Sequence, residues 1–180
     1  MNEIDLKRWE YAVGIILEHE GGLSDNKRDP GGVTKWGVSL RFLRAMGIDI
    51  NHDGVVNRED VIGLSKPGAK SIYKRYWWDA YKYNYIKALM PATKVFDLSV
   101  NMGASQAHKI LQISINRLMD KSIRVDGILG QITLGLTNDI IPSFLMDELR
   151  KNAAHFYIQL AADKPSLKVF EKGWLNRAAW

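Results

Sequence analysis

The sequence predicts a mainly α-helical fold, and three observations support this prediction. Apolar residues recur at helical spacing over long segments, and the first such stripe consists of Leu6, Trp9, Val13, Ile16 and Leu17. Capping serines or first-turn prolines stand at the start of several of these segments. No segment shows a convincing alternation of apolar and polar residues, which is typical of a half-buried strand.

The predicted helices follow one another along most of the chain. They begin near Asp5, Ser39, Ser65, Pro91, Ser105 and Pro142. The last of them carries large apolar side chains that we expect in the core, namely Phe144, Leu145, Leu149, Phe156, Tyr157 and Leu160. An aromatic helix before the middle of the chain is predicted to place on one face Tyr73, Tyr76, Trp77 and Ala80, and to point away from that face Trp78 and Tyr81.

Length and composition fit one compact core or two small lobes. The chain has 180 residues, of which 46% are apolar and 25% charged, as is ordinary for a globular protein. Its net charge of +5 favours an anionic partner, but no nucleic-acid motif accompanies the charge, so nucleic acid is not expected. Cysteine is absent, which means that the fold needs no disulfide. No apolar run could span a bilayer and no signal peptide is visible, so we expect a cytoplasmic origin and no transmembrane segment.

Glu20 is the first candidate catalytic residue. At about 100° per residue it falls inside the apolar stripe of the first predicted helix, whereas Glu18 points elsewhere. Gly21 and Gly22 follow at once, which ends the helix and leaves the carboxyl without side-chain cover. Because apolar surroundings favour the protonated form of a carboxyl, an acid in this position is suited to donating a proton to a glycosidic oxygen.

Asp29 and Thr34 are candidates for the rest of the catalytic machinery. They supply a second carboxylate and a hydroxyl, which are the groups needed to hold a water or to stabilise an oxocarbenium-like centre. The alternative is structural: Glu20 forms a local cap or ion pair, and Asp29 belongs to an ordinary Asp-Pro-Gly-Gly turn.

Glu-Gly-Gly followed by Asp-Pro-Gly-Gly-x-Thr-x-aromatic-Gly-Val resembles the signature of the family 108 glycoside hydrolases. These are N-acetylmuramidases found as phage endolysins and as bacterial proteins tied to holin-type secretion. The resemblance covers nearly the whole chain, because it continues through residues 76–79, 96–103, 111–112, 126–130 and 173–177. Leu23 departs from the pattern, since the family usually has an aromatic residue at that place.

The resemblance implies a lysozyme-like helical fold with a catalytic lobe over residues 1–90 and a helical peptidoglycan-binding-like lobe over residues 91–180 that completes the cleft. It implies that Glu20 is the catalytic acid and that the β-1,4 bond between N-acetylmuramic acid and N-acetylglucosamine is hydrolysed without a cofactor. It further implies an endolysin, expected as a monomer, that leaves the host bacterial cytoplasm through a holin pore and lyses the cell from the periplasm or wall. A turn at residues 126–133 resembles one seen in peptidoglycan-binding modules, although a tight turn into a capped helix explains it equally.

An EF-hand-like loop is predicted as an insert in the first lobe. Oxygen-bearing side chains occupy loop positions one, three, five, nine and twelve, position six is glycine, and position seven offers a backbone carbonyl; in order the ligands are Asp49, Asn51, Asp53, Val55, Asn57 and Asp60. We therefore predict a structural Ca²⁺ site, with Mg²⁺ as an alternative because the last position carries Asp in place of the usual Glu. A solvated linker between helices is the other reading.

Four residues are candidates for binding the sugar. Trp36 belongs to the signature stretch and Trp77 to the aromatic helix, and both offer a ring on which an apolar sugar face can stack. Asn101 and Gln112 belong to motifs of the resemblance, but either is also compatible with a buried polar residue satisfied by the backbone.

Other chemistries are less compatible with the sequence. The histidines show no metal-ligand spacing and there is no cysteine, which argues against zinc amidases, zinc endopeptidases and papain-like peptidases. Two alternatives to the hydrolase remain open. One is a lytic transglycosylase, which needs a single acid and forms an anhydro sugar; the other is a non-catalytic peptidoglycan-binding or secretion-accessory protein.

Overall fold

The computed structural model describes residues 3–24, 32–120 and 122–180, and most of these residues are helical. The helices, in chain order, are α1 (Glu3–Glu20), α2 (Leu40–Met46), α3 (Arg58–Gly63), α4 (Lys66–Tyr73), α5 (Leu89–Met102), α6 (Ala104–Leu118), α7 (Gln131–Asp139), α8 (Pro142–Asp163) and α9 (Glu171–Ala179). The mainly α-helical prediction is therefore confirmed. No helix in these three ranges is long and apolar enough to cross a membrane.

The predicted helix starts agree with the capping observed. The Ser39 hydroxyl accepts a hydrogen bond from the Phe42 backbone N–H at 3.1 Å, at the start of α2. The Ser65 hydroxyl accepts one from the Gly68 N–H at 3.1 Å, at the start of α4. Each cap satisfies a backbone donor that has no partner inside its own helix. Pro142 is the first residue of α8, where its missing N–H does no harm.

Helix α5 is the centre of the molecule. Its residues 91–99 are all buried, because α1, α6 and α8 all pack against this helix. A helix buried all round is expected to be apolar. Lys94 and Asp97 are nevertheless fully buried here, so each must find polar partners. Their partners belong to the candidate site described below.

The aromatic segment does not keep the predicted helical phase. Residues Lys74–Trp78 form a π-helical turn, in which the Asp79 N–H donates to the Lys74 carbonyl at 2.9 Å across five residues. The wider turn rotates the following side chains. Trp78, which the sequence pattern points away from the aromatic face, is therefore buried together with Tyr73. The prediction that Trp78 points away from the aromatic face is therefore wrong, because it assumed an ideal α-helix over residues 73–81.

Three very short strands form a small antiparallel sheet after α1. They are β1 (Leu23–Ser24), β2 (Thr34–Lys35) and β3 (Val38–Ser39), in the order β1-β2-β3. Each strand has two residues, which is too few to show an alternating pattern. The sheet is therefore a correction to the strand-free prediction.

Helix α8, which packs against α9, buries only some of its predicted core residues. Leu145, Leu149 and Tyr157 on α8 are buried, as predicted, whereas Phe144 is 56% exposed. Phe144 lies about 100° from Leu145 around the helix and so falls outside the buried stripe. Leu6 on α1 is also exposed, so the apolar stripe of that helix extends beyond its buried contacts.

Candidate active site

Glu20 is the last residue of α1 and its side chain is 19% exposed. Gly21 follows in the left-handed conformation, with φ of 70°, and its N–H donates to the Leu17 carbonyl at 3.3 Å. This is the helix ending that glycine favours, because a Cβ atom is disfavoured at positive φ. The helix therefore stops at the carboxyl and leaves it half-buried, as the sequence pattern indicates.

The turn between β2 and β3 packs directly on Glu20. Trp36 and Gly37 form this two-residue turn and both have positive φ, 54° and 76°, as a type I′ turn requires. A Cβ atom on Gly37 would lie 2.6 Å from Cγ of Glu20 and would also clash with the Tyr73 hydroxyl. Only glycine therefore fits between the turn and the carboxyl-bearing side chain.

Tyr73 on α4 holds the β2–β3 turn in place through a hydrogen bond. Its hydroxyl donates to the Trp36 carbonyl at 2.9 Å. Burial, and then the negative charge of Glu20, raise the pKa of Tyr73 well above its ordinary value. The hydroxyl therefore remains protonated and continues to donate at neutral pH.

The second half of the site comes from the C-terminal helix. Arg177 on α9 donates through Nη2 to Oε1 of Glu20 at 2.5 Å. Through Nε it donates to both carboxylate oxygens of Asp97, at 3.0 and 3.2 Å. His19 Nδ1 lies 2.8 Å from Oδ1 of Asp97, which is fully buried on α5. Burial opposes the charge on Arg177, but the carboxylates of Asp97 and Glu20 outweigh it and raise the pKa of Arg177.

Lys94 fixes the end of α9 that carries Arg177. Its buried ammonium donates to the carbonyls of Arg177 and Ala178, at 2.6 and 3.0 Å, and lies 5.4 Å from the centre of the Trp180 ring. Burial lowers the pKa of Lys94 to about 8, although the charge of Asp97 acts in the opposite direction. A cation at the C-terminal end of a helix also meets the negative end of the helix dipole.

The other two predicted catalytic residues have different outcomes. Asp29 lies outside the described residues. Thr34 is in β2, half-buried, and pairs with Ser24 of β1 and Ser39 of β3. It is therefore two residues before the turn that contacts Glu20, and its catalytic role stays a prediction.

The two predicted tryptophans are both half-buried against the core. The Lys66 ammonium lies 5.6 Å from the centre of the Trp36 ring, and within the described residues the buried Nε1 of Trp36 has no hydrogen-bond partner. Trp77 packs on Phe42 and Tyr73, with ring centres 4.9 and 5.4 Å apart. These contacts explain the folding role of both rings, and sugar stacking stays a prediction for each.

The two predicted amides are engaged inside the C-terminal half. Asn101 accepts a hydrogen bond from the Tyr157 hydroxyl at 2.7 Å. Gln112 is buried, donates to Asp126 at 2.8 Å and accepts from the Gly127 N–H at 2.8 Å. These bonds hold the 126–133 turn. The backbone-satisfying alternative explains Gln112, and sugar binding by either amide stays a prediction.

The predicted cation loop uses its carboxylates as internal acceptors. Asp49 accepts from the N–H groups of His52 and Gly54, at 2.7 and 2.8 Å. Asp60 is fully buried and accepts from Ile50 and Asn57, each at 2.7 Å, which caps α3. Within the three described ranges no group of three or more His, Cys, Asp or Glu is arranged to hold a metal ion.

The loop carboxylates thus accept from backbone N–H groups and are not gathered into such a group. We therefore derive no chemistry from a cation, and the Ca²⁺ site stays a prediction of the sequence pattern. Asp60 instead completes the capping box at the start of α3, together with Asn57.

An open pocket of about 430 Å³ lies beside the ion pairs that Arg177 forms with Glu20 and Asp97. It is lined by His19 next to the acid and by residues around α9, namely Val169, Phe170, Gly173, Trp174, Asn176 and Arg177. Sequence reasoning assigned no role to His19 or Arg177. Arg177 did belong to a motif of the resemblance, but its pairing with Glu20 joins residues 157 positions apart.

Comparisons with known proteins found a matching family model for each half of the chain. The family model for glycosyl hydrolase 108 matches residues 13–103, and that for a predicted peptidoglycan domain matches residues 106–179. A solved structure of SagA from Brucella abortus has a TM-score of 0.77 and 24% identity, covering 96% of this chain and 90% of that one. This similarity confirms the lysozyme-like helical fold. A comparison with curated proteins gave no significant match.

Proposed function

The chain belongs to the glycosyl hydrolase 108 family and is an N-acetylmuramidase acting on peptidoglycan, and we propose that Glu20 is its catalytic acid. The proposal rests on the position of Glu20. It is a half-buried carboxyl at the open end of α1, joined to α9 by Arg177 and placed beside a pocket. The expected domain division at residues 90 and 91 stays a prediction.

The ion pair with Arg177 constrains how Glu20 can act. A general acid must carry its proton at the glycosidic oxygen, whereas in the free enzyme the guanidinium occupies Oε1. Arg177 is also held through Nε by the fully buried Asp97, so it keeps an anchor when its bond to Glu20 is broken. We propose that the glycosidic oxygen replaces Nη2 at the carboxyl, which takes up a proton from solvent. Glu20 then passes this proton to the leaving sugar as the glycosidic bond breaks. Asp29 and Thr34 would hold the attacking water or stabilise the charge on the sugar.

The test is the Glu20→Gln variant with Glu18→Gln as its matched control. Both remove one carboxyl from the same end of α1, but Glu18 is exposed. Loss of a general acid lowers the rate by about 10²- to 10⁴-fold. Turbidity loss of purified peptidoglycan should therefore nearly stop with Glu20→Gln and be unchanged with Glu18→Gln. Clearing by Glu20→Gln at the wild-type rate would reject the acid assignment.

Mass spectrometry of the released sugars tests the reaction itself. Hydrolysis adds one water to each cleaved bond, so the expected products have reducing ends. A lytic transglycosylase forms an internal ring and leaves anhydro ends. Anhydro products would overturn the hydrolytic mechanism while keeping Glu20 as the acid.

We also propose that the protein is an endolysin released by a holin-type pore, which fits the resemblance to phage endolysins and the net charge of +5. Bacteria expressing it should keep their turbidity until the inner membrane is permeabilised, and should then lyse. Cells expressing Glu20→Gln should not lyse after the same treatment. Lysis without permeabilisation would contradict pore-dependent release.

We expect the protein to be a monomer in solution. Its molar mass can be measured by light scattering after size-exclusion chromatography.

A further inference from the structure

Three aromatic rings form a column beside the candidate acid. Tyr157 on α8 and Trp174 on α9 are stacked, with ring centres 5.4 Å apart and planes at 18°. Phe170 continues the column at 5.8 Å from Trp174. Tyr157 is buried and Trp174 half-buried, whereas Phe170 is 54% exposed. The column thus rests on the core and ends in an exposed ring.

The chain reaches this arrangement through a short 3₁₀ segment, Pro165–Phe170, which ends directly before α9. Val169, Phe170 and Trp174, which is one turn into α9, all line the 430 Å³ pocket, and the first two are exposed. Large apolar side chains such as those of Phe170 and Trp174 are usually covered by neighbouring side chains. An exposed aromatic ring that lines a pocket together with polar groups is suited to contact a bound ligand.

The polar groups of the same pocket define what it can bind. Asn176 offers an amide, and His19 and Arg177 also line the pocket, Arg177 being the residue that binds Glu20. A wall of aromatic rings facing a few polar groups is the usual composition of a small-molecule site. N-acetylhexosamine rings match it, because one face of the ring is apolar while the hydroxyl and acetamido groups need hydrogen-bond partners.

We propose that this pocket is a glycan subsite of the enzyme, in which the exposed face of Phe170 stacks on an N-acetylhexosamine ring next to the bond being cleaved. The inference rests on the proposed function, since it takes the position of Glu20 as the cleavage point. Residues around α9 thereby determine how the glycan strand is held, and the second lobe contributes directly to substrate binding.

The experiment measures binding separately from cleavage. Glu20→Gln protein is titrated by calorimetry with a tetrasaccharide of alternating N-acetylglucosamine and N-acetylmuramic acid, alone and with Phe170→Leu or Phe170→Trp added. Leucine keeps apolar bulk but removes the aromatic face, so affinity should fall about threefold to tenfold. Tryptophan keeps the face and should restore it. Phe144→Leu is the matched control, because Phe144 is 56% exposed and lies outside the pocket.

In the active enzyme, Phe170→Leu should raise KM by a similar factor and leave kcat unchanged. Equal tetrasaccharide affinity for Phe170→Leu and Phe144→Leu would overturn the subsite. Self-association of the protein that Phe170→Leu abolishes would also overturn it, since the rings would then form an interface between copies. Cleavage by Glu20→Gln refutes the proposed acid, and the binding comparison still decides the subsite.

Discussion

Substitution of Gly37 by alanine tests whether the β2–β3 turn holds the acid in place. Gly37 has φ of 76°, and an added Cβ would lie 2.6 Å from Cγ and 2.8 Å from Cβ of Glu20. The same atom would clash with the Tyr73 hydroxyl. Tyr73 is buried and bonded to the turn, so it cannot move aside easily. The Glu20 side chain must therefore move, by about 1 Å if ordinary carbon–carbon contact is to be restored.

Two effects add up in this variant. A left-handed conformation costs about 1 to 2 kcal/mol for a residue with a Cβ atom. Overpacking a filled site costs about 1 to 3 kcal/mol more. The free energy of unfolding should thus fall by about 2 to 5 kcal/mol. Because misplacement of a catalytic group by about 1 Å can reduce the rate about 10²-fold, kcat should fall far more than the stability loss alone explains.

Gly47→Ala provides the control for the backbone effect. Gly47 also has positive φ, 62°, but an added Cβ would have no heavy atom of another residue within 4 Å. Urea melts and peptidoglycan hydrolysis by folded protein are measured for both variants. We expect Gly47→Ala to lose about 1 to 2 kcal/mol of stability with normal kcat. If Gly37→Ala has the same kcat as Gly47→Ala, contact between the turn and Glu20 does not position the acid.

Three further predictions concern the charges described above. Arg177→Met should lower the free energy of unfolding by about 3 to 5 kcal/mol in urea melts, because it strips the buried Asp97 carboxylate of its main partner, and adding Asp97→Asn should recover part of the loss. Failure of the second substitution to recover any stability would contradict this. Lys94 has a folded-state pKa of about 8 against an ordinary 10.5, so the unfolded chain binds more protons between these values. The free energy of unfolding should therefore rise by about 1 to 2 kcal/mol from pH 8 to pH 9.5 relative to Lys94→Met, and parallel pH curves would refute it. Finally, if the Asp49–Asp60 loop binds Ca²⁺, millimolar Ca²⁺ should raise Tm over a chelator control, and equal Tm with Ca²⁺, Mg²⁺ and chelator would reject the site.

Local chemistry accounts for what could be predicted from the sequence. The end of α1 at Glu20 follows from the apolar stripe and the two glycines, and the starts of α2 and α4 follow from Ser39 and Ser65. These features depend on a few neighbouring residues, so the sequence carries them directly. The half-buried position of the Glu20 carboxyl was predictable for the same reason.

The remaining features depend on contacts between distant segments. The π-helical turn at Lys74–Trp78 rotates Trp78 into the core, and no local pattern indicates the extra residue in that turn. The pairing of Arg177 with Glu20 and Asp97 is set by the packing of α9 on the rest of the fold. The sequence does not distinguish Arg177 from an exposed arginine until that packing is known.

The span of the Glu20–Arg177 pair also has a consequence for protein synthesis. Arg177 is added to the growing chain 157 residues after Glu20. Because synthesis proceeds at about 5 to 20 residues per second, Arg177 is added roughly 8 to 30 s after Glu20. During that interval the segment around α1 can fold, but the pocket wall does not yet exist. A chain interrupted before α9 lacks both Arg177 and the pocket residues of α9. A nascent or truncated product therefore cannot assemble the complete site.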